Sequence, residues 1–318
     1  MIYKKLLAGI SLCLVLNATA VEAQRYNPRY IGEKESEEPV KTEPVTIVRS
    51  PGSFVPLPVQ SPDVPATFTL FGEKMPLDIW DVRERFDREL LVNTYMQGST
   101  SYIIKQMGRW LPMIEERLRA NQVPDDFKYL CIAESALQNQ TSRAGAVGFW
   151  QFMPGTAPTF GLLIDGEVDE RYNAEKSTDA ACRYLKQAYE KFGNWTAAAA
   201  SYNCGMGGLN SAMTSQGESS FYNLLLPEET MRYIFRIAAL KYILDKPQKF
   251  GFNLGPDDVY APHKVRRETI YGGLGNLVAY AKSKGTNYKT LKMLNPWLRD
   301  KTFNNSKGRS YTILLPLD

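Results

Sequence analysis

Hydrophobic side chains recur at helical spacing through the middle of the chain. Val82, Phe86 and Leu90 repeat every four residues. Further stripes of the same period follow Gly98, Ser177 and Pro227, although polar residues separate the apolar positions. Apolar residues at this spacing share one face of a helix. The pattern therefore predicts a mainly α domain over residues 76–250, with the stripes packed into a common core.

One short helix in this series carries a carboxylate on its apolar face. Phe127, Leu130, Cys131 and Glu134 fall at i, i+3, i+4 and i+7. A buried, unpaired carboxylate is costly and responds by raising its pKa. A carboxyl that stays protonated near neutrality is what a general acid requires. Helix geometry alone leaves a second interpretation open, in which Glu134 lies at the helix end and faces water.

The N-terminal quarter of the chain lacks this periodicity. Lys4 and Lys5 precede an apolar run that is too short to span a bilayer, and small residues follow it. We therefore predict a signal peptide over residues 1–23, an exported protein, and no membrane span after cleavage; an uncleaved membrane anchor is the alternative. Residues 24–75 are rich in proline and glutamate, which predicts a mostly disordered linker.

The C-terminal segment, residues 264–318, follows a short linker at 251–263. Two strand-like stretches, 268–271 and 311–315, enclose two short helical patterns, which predicts a small β-α-α-β module. The segment has 11 basic and 3 acidic side chains, whereas the remaining chain has 27 and 31. A basic module on an acidic remainder indicates an anionic polymer as partner, and an ordinary solvated basic surface is the alternative.

Composition excludes several kinds of catalytic site. His263 is the only histidine, and the cysteines lack zinc-type spacing. These two facts argue against histidine-based metal sites, a Ser-His-Asp triad and a Cys-His pair. We therefore expect no metal and no other cofactor, which leaves carboxylates, tyrosines and amides to carry chemistry.

Five short motifs follow one another along the middle of the chain. They are Glu134-Ser135-Ala136, Gly145 to Ala157, Ser177 to Ala181, Ala200-Ser201-Tyr202-Asn203-Cys204-Gly205 and Arg232-Tyr233. Together, and in this order, they resemble the lysozyme-like lytic transglycosylases, specifically the family of membrane-bound lytic murein transglycosylase D. The resemblance covers about Pro76 to Asp245.

The C-terminal segment has a second resemblance. The helix end Leu291 to Pro296 and the strand Tyr311 to Pro316 resemble those of a LysM peptidoglycan-binding module. Tyr271-Gly272-Gly273-Leu274 departs from the usual Gly-Asp-Thr-Leu-like turn, which leaves glycan binding by the module open.

The resemblance implies a goose-type lysozyme-like (SLT) catalytic domain and a periplasmic enzyme that acts on peptidoglycan glycan strands rather than on nucleic acid. It further implies cleavage of the bond between N-acetylmuramic acid and N-acetylglucosamine with a 1,6-anhydro product, where Glu134 acts first as acid and then as base. A hydrolytic muramidase of the same fold and a non-catalytic cell-wall-binding envelope protein are the alternatives.

The same resemblance assigns roles to the residues around Glu134. Tyr233 is expected to hydrogen-bond Glu134 and hold its orientation, and a core tyrosine is the alternative. Asn203 is expected in the substrate groove, and a helix C-cap is the alternative. Phe149 is either a groove or a core residue. The residues expected to bind substrate are Ser135, Phe149, Gln151, Met153, Tyr202 and Asn203.

Three cysteines remain after the predicted signal peptide, so at most one disulfide joins them. If the helices that begin at Ser177 and Trp195 form an antiparallel hairpin near Gly193, Cys182 and Cys204 lie at equal distances from its turn. A Cys182–Cys204 disulfide is then geometrically feasible. The alternative is two small buried thiols.

Overall fold

A computed structural model describes residues 60–317, and within them the chain is mainly helical. Seven helices and one short hairpin form a helical domain, residues 64–254, and two further helices with four short strands form a C-terminal module, residues 264–317. The elements in chain order are β1 (Thr69–Leu70), β2 (Glu73–Lys74), α1 (Trp80–Tyr95), α2 (Gln97–Ala120), α3 (Phe127–Ser135), α4 (Ala174–Phe192), α5 (Trp195–Cys204), α6 (Met206–Gln216), α7 (Glu228–Asp245), β3 (Val265–Ile270), β4 (Gly275–Asn276), α8 (Leu277–Ser283), α9 (Tyr288–Leu294), β5 (Thr302–Phe303) and β6 (Tyr311–Pro316).

The predicted apolar stripes form the core of the helical domain. Val82, Phe86 and Leu90 on α1 are fully buried, and the stripe of α2 faces the same core. Helix α5 lies deepest, because Ala197 to Ala200 are all buried and their small side chains let α4, α6 and α7 pack around it. The prediction of a mainly α domain is confirmed.

The structure differs from the predicted linker near residue 75. Strands β1 and β2 form an antiparallel hairpin, and Leu70 and Met75 beside it are buried in the core. The Glu73 carboxylate accepts hydrogen bonds from the backbone N–H groups of Trp195 (2.6 Å) and Thr196 (2.9 Å), which satisfies free donors at the start of α5. Apolar burial and this cap hold the hairpin in the helical domain, whereas the signal peptide and linker predicted for residues 1–59 lie outside the described residues.

The C-terminal module contains the predicted β-α-α-β order and adds a two-residue strand on each side of the helix pair, β4 and β5, which pair with each other. Strands β3 and β6 pair antiparallel from Val265↔Pro316 to Ile270↔Tyr311, and α8 and α9 lie between them in sequence. Leu277 and Leu291 from the two helices are fully buried in the module's core. Alternation of buried and exposed residues along β6 leaves one face of the strand pair outside this core.

Backbone hydrogen bonds join the module to the helical domain. The Asp169 N–H donates to the Trp297 carbonyl (2.9 Å), and the Arg299 N–H donates to the Glu167 carbonyl (2.8 Å). Between them, Val168 forms an isolated β-bridge with Leu298 and is buried in the module's core. The helical domain therefore contributes a side chain to the core of the module.

The three cysteines of residues 60–317 are free thiols. Cys182 is buried on α4, and Cys204 at the end of α5 donates from its Sγ to the Ala200 carbonyl at 3.4 Å. The feasible Cys182–Cys204 disulfide is therefore not formed; of the two thiols, Cys182 is buried as the alternative expected, whereas Cys204 is half-buried. In the same residues, no group of three or more His, Cys, Asp or Glu side chains is arranged to hold a metal ion.

None of the helices between residues 60 and 317 is both long enough and apolar enough to cross a membrane.

Candidate active site

Glu134 lies in the last turn of α3, on the same side as the buried residues Leu130 and Cys131. The helix ends there because Ala136 and Leu137 both adopt positive φ angles, +52° and +57°. This left-handed turn carries the chain away from the helix axis directly after the carboxylate. Glu134 is half-buried, so both sequence-based interpretations describe part of its position: it is near a helix end, and it faces protein.

The surroundings of Glu134 favour its protonated form. Burial raises the pKa of Glu134 from its ordinary value to about 7, whereas the Tyr233 hydrogen bond and the positive charge of Arg236 lower it by smaller amounts, and the Glu229 carboxylate raises it. A group with this pKa is partly protonated at neutral pH. It can therefore give up a proton and take one back within a single reaction.

Tyr233 from α7 donates a hydrogen bond from its hydroxyl to Oε1 of Glu134. Its ring is buried in the core of the helical domain, and only 2% of the residue is exposed. Burial, followed by the charge of Glu134, raises the pKa of Tyr233 well above its ordinary value, so the hydroxyl keeps its proton. Tyr233 is thus both a core residue and a fixed donor to the carboxylate.

Tyr202 from α5 approaches Glu134 from another side. Burial raises the pKa of the Tyr202 hydroxyl well above its ordinary value, and Glu134 is the charge that adds most to this effect. The hydroxyl donates to the Trp150 carbonyl at 2.8 Å, and the ring packs edge-on against Phe152 and Tyr184. Tyr202 therefore ties the loop that contains Trp150 to the helix beside the carboxylate.

Asn203 does not cap α5, because the helix ends at Cys204 and the cap is Gly205 with φ +78°. Its Oδ1 accepts a hydrogen bond from the Thr230 hydroxyl on α7 at 2.9 Å. The residue is half-buried, and among the described residues its side-chain NH₂ has no acceptor. Those two donors remain for a ligand.

The glycine-spaced loop, residues 145–154, folds back on itself. Val147 pairs with Phe152, and Gln151 at the turn has φ +47°. The Gln151 NH₂ donates to the carbonyl oxygens of Gly148 (2.7 Å) and Gln140 (3.2 Å), which fixes its side chain. Among the described residues, no donor is bonded to the Gln151 amide oxygen. Gln151 therefore fixes the loop through its NH₂ group and keeps its amide oxygen for a ligand.

Two of the residues expected to bind substrate are buried instead. Ser135 is fully buried, and its hydroxyl donates to the Cys131 carbonyl at 3.2 Å. Phe149 is 1% exposed and packs its ring on Trp110 with centroids 4.7 Å apart. Ser135 is the last residue of α3 and shares a buried helix face with Cys131, whereas the folded loop turns Phe149 inward. By contrast, 36% of Met153 is exposed.

Sequence reasoning missed a charged network next to Glu134. Glu89 on α1 is 1% exposed and accepts from Arg232 Nε at 2.6 Å, and Arg236 Nε lies 4.0 Å from its second oxygen. Arg236 also donates to Glu229 at 3.1 Å. Arg236 follows Tyr233 by three residues and so shares its helix face, which is the signal in the sequence that could have found it.

Comparisons with known proteins match the helical domain and the C-terminal module separately. Residues 112–225 match the family model of the transglycosylase SLT domain, and residues 267–318 match that of the soluble lytic transglycosylase C-terminal LysM-like domain. Over 200 residues the chain is 30% identical to a protein named membrane-bound lytic murein transglycosylase D from Escherichia coli strain K12. It is equally similar to the protein of that name from Escherichia coli O6:H1. Each match covers 60% of this chain and 43% of the relative, so the chain spans less than half the length of these relatives.

Proposed function

We propose that this chain, a homologue of lytic murein transglycosylase D with an SLT transglycosylase domain and a C-terminal LysM-like domain, is a peptidoglycan lytic transglycosylase. One observation carries the proposal. Glu134, in the SLT domain, is a half-buried carboxyl whose pKa is raised to about 7 and whose Oε1 is held by the Tyr233 hydroxyl. This is the protonation state and orientation that a general acid needs.

In the proposed reaction, Glu134 donates its proton to the oxygen that links N-acetylmuramic acid to N-acetylglucosamine. The bond from that oxygen to muramyl C1 breaks, and C1 becomes electron-poor. The Glu134 carboxylate then takes the proton of the muramyl C6 hydroxyl, whose oxygen attacks C1 and closes a 1,6-anhydro ring. Glu134 ends protonated, as it began, and no water is consumed. An internal nucleophile can act at effective concentrations of roughly 10⁵ M or more, which makes a second carboxylate unnecessary.

The charges near Glu134 support transglycosylation over hydrolysis. Glycosidases that use water place a second carboxylate across the scissile bond. The carboxylate that raises the pKa of Glu134 is that of Glu229, and Arg236 donates a hydrogen bond to the Glu229 carboxylate at 3.1 Å. A carboxylate neutralised in this way is a poor base or nucleophile, so we assign both proton transfers to Glu134.

We propose four residues as substrate contacts and set aside two. Met153 is exposed enough to lie against a sugar ring, and Asn203 has free amide donors for hydroxyl or acetamido groups. Gln151 offers its amide oxygen, and Tyr202 offers the exposed part of its ring. Ser135 and Phe149 are left out because they are buried.

The partner and location are proposed on the same grounds. The SLT and LysM-like domains are both consistent with binding to peptidoglycan strands, and the relatives named above are membrane-bound murein enzymes. Together with the predicted signal peptide over residues 1–23, this supports an exported protein at the cell envelope, in the periplasm.

Digestion of purified peptidoglycan tests the proposed reaction. We expect mass spectrometry to find muropeptides that end in 1,6-anhydro-N-acetylmuramic acid, and we expect E134Q to release about 10²- to 10⁴-fold less material. E190Q is the matched control, because Glu190 is exposed on α4 and its substitution removes the same charge away from the site. Reducing ends would favour the hydrolytic muramidase, and binding without release, unchanged by E134Q, would favour the non-catalytic envelope protein.

A further inference from the structure

A pocket of about 380 Å³ lies between the helical domain and the C-terminal module, and its lining residues do not include Glu134, Tyr202 or Tyr233. Its volume falls in the range of small-molecule sites, roughly 300–1,000 Å³. The helical domain lines one side with the half-buried Trp110, which packs on the buried Phe149, and the module lines the other side with Trp297 and Tyr311. The pocket is thus a second concave site, separate from the carboxylate and formed only when both parts of the chain are in place.

Both walls of the pocket are preformed. Trp297 and Tyr311 stack with ring centroids 5.0 Å apart, and both are almost fully buried. The Trp297 carbonyl accepts the hydrogen bond from Asp169 described above, so the aromatic pair is fixed to the helical domain by backbone contacts. A ligand would meet a rigid apolar wall and would lose little binding energy to ordering it.

One positive charge at the pocket lacks a counter-ion. Arg267 is paired with Glu175 (3.0 Å for one of its two bonds), and Lys176 is paired with Glu170. Arg109 differs, because its Nε donates to the Ala261 carbonyl at 3.1 Å and no carboxylate pairs with it among residues 60–317. One face of the guanidinium lies over the Tyr260 ring, 5.0 Å from its centroid. The terminal NH₂ groups have no acceptor in that part of the chain, which leaves the N–H edge of the guanidinium able to bind a carboxylate.

The other polar groups at the pocket are uncharged. Burial, followed by the charge of Arg109, lowers the pKa of His263, which favours the neutral imidazole. Thr269 and Thr312 sit opposite each other on β3 and β6, and both are exposed on the strand face that lines the pocket. Their hydroxyls can give and accept hydrogen bonds with backbone amides. The pocket therefore combines one cation without a counter-ion among the described residues, an apolar wall and amide-compatible hydroxyls.

We propose that this interdomain pocket binds a carboxylate-bearing stem peptide of peptidoglycan, with Arg109 as the carboxylate ligand. The identity of the peptide rests on the proposed function, because peptidoglycan is the substrate that the SLT domain would act on. Where a stem peptide is attached, the lactyl carboxyl of N-acetylmuramic acid is taken up in an amide bond, so the sugars give Arg109 no anion. The attached stem peptide itself carries free carboxylates. The pocket would thus hold a strand by its peptides while Glu134 acts on its sugars.

Isothermal titration calorimetry with the free tetrapeptide L-Ala-D-Glu-diaminopimelate-D-Ala tests the site without any need for catalysis. We expect R109Q to raise the Kd at least tenfold. R119Q is the matched control, since Arg119 is exposed near the end of the same helix α2 and does not line the pocket. T312W, which fills the pocket from the module and leaves Arg109 intact, should also abolish binding, and melting temperatures should show that each variant folds.

Several results would overturn the proposal. Unchanged affinity in both R109Q and T312W would place the peptide elsewhere, and a loss of affinity in E134Q would place it at the carboxylate. Binding of uncharged chitotetraose that R109Q and T312W weaken, with no binding of the tetrapeptide, would identify a glycan site instead. A chain that binds the tetrapeptide at this pocket but releases no muropeptides would refute the proposed enzyme activity and leave the binding site standing.

Discussion

Among the single residues, one carboxyl group determines whether the proposed reaction can occur. Glu134 is held on a buried face although a charged carboxylate is disfavoured there. The Tyr233 hydroxyl and the Arg236 guanidinium offset part of this cost, and the pKa settles at about 7. The position of Glu134 is therefore destabilising for the fold at neutral pH and useful for proton transfer. Perturbed pKa values of this kind are common at functional sites.

E134Q should stabilise the protein in a pH-dependent way. The folded pKa of about 7 lies above the ordinary value of 4.5, so the favourable contribution of Glu134 is present below pH 4.5 and is lost as the pH rises through 7. Relative to the unchanged chain, the free energy of unfolding of E134Q should grow by up to about 3 kcal/mol between those pH values. Urea denaturation at a series of pH values measures this difference, and the same difference in E190Q, or a flat profile, would contradict it.

Y233F should move the pH dependence of activity upward. The Tyr233 hydrogen bond lowers the pKa of Glu134, so its loss raises that pKa and shifts the fall of kcat/KM to higher pH. Poorer orientation of the carboxyl should also reduce kcat/KM on the order of tenfold. Y242F is the control, because Tyr242 lies on the same helix and its hydroxyl accepts from Lys249 at 2.7 Å. A loss of activity without a shifted pH profile would mean that Tyr233 serves packing alone.

The sequence predicted some of these contacts and not others, for identifiable reasons. Helical spacing placed Glu134 on the apolar face of α3, and family resemblance predicted the Tyr233 contact that the structure contains. Spacing could not predict that Phe149 points inward, because the folded loop has no helical period, whereas Ser135 lies four residues after the buried Cys131 and its burial follows from the same helix face. Spacing also could not predict the pairing of Glu89 with Arg232, since α1 and α7 meet only through tertiary packing.

At the scale of elements, the loop over residues 145–154 is held by a close backbone approach. Gly148 has φ +84°, and a Cβ at this position would lie 2.1 Å from the Arg171 carbonyl oxygen. Arg171 is buried beside Asp169 and donates to the carbonyl oxygens of Gly145 and Phe152 at 3.0 and 3.1 Å. Because Arg171 is fixed from both sides, it cannot move to admit a side chain.

G148A should therefore cost much more stability than G145A. Gly145 has nearly the same backbone angle, φ +85°, but no atom lies within 4 Å of its added Cβ. G145A should cost about 1 kcal/mol for the left-handed conformation alone, whereas G148A should cost at least about 3 kcal/mol, since the clash adds to the strain. Chemical denaturation of both variants measures the contrast, and equal losses would show that the loop can shift.

At the scale of the whole molecule, the C-terminal module is packed against the helical domain through shared core and backbone contacts. Val168 belongs to the helical domain by sequence but is 2% exposed within the module's core. Charge was the property that distinguished the module in the sequence, and its β-α-α-β order was predicted correctly. Its docking was not predictable, because the contacts that hold it, among them the β-bridge between Val168 and Leu298 and the backbone hydrogen bonds on either side, join irregular segments that are far apart in sequence.

V168D should separate the unfolding of the two parts. A buried, unpaired carboxylate at the contact is costly, so separation of the module from the helical domain should cost less free energy than keeping the carboxylate buried. Differential scanning calorimetry should show one transition for the unchanged chain and two for V168D. V278D is the matched control, because Val278 is 42% exposed on α8, and it should keep the single transition. One transition in V168D at an unchanged temperature would contradict the shared core.

The central claim is that Glu134 serves as acid and then base for an attack by the substrate's own hydroxyl. Digestion of peptidoglycan in ¹⁸O-labelled water measures this most directly. We expect 1,6-anhydromuramyl products without ¹⁸O from the unchanged chain and from E190Q, and about 10²- to 10⁴-fold less of them from E134Q. Muramyl products with a reducing end that carries ¹⁸O would contradict it, because water would then be the nucleophile.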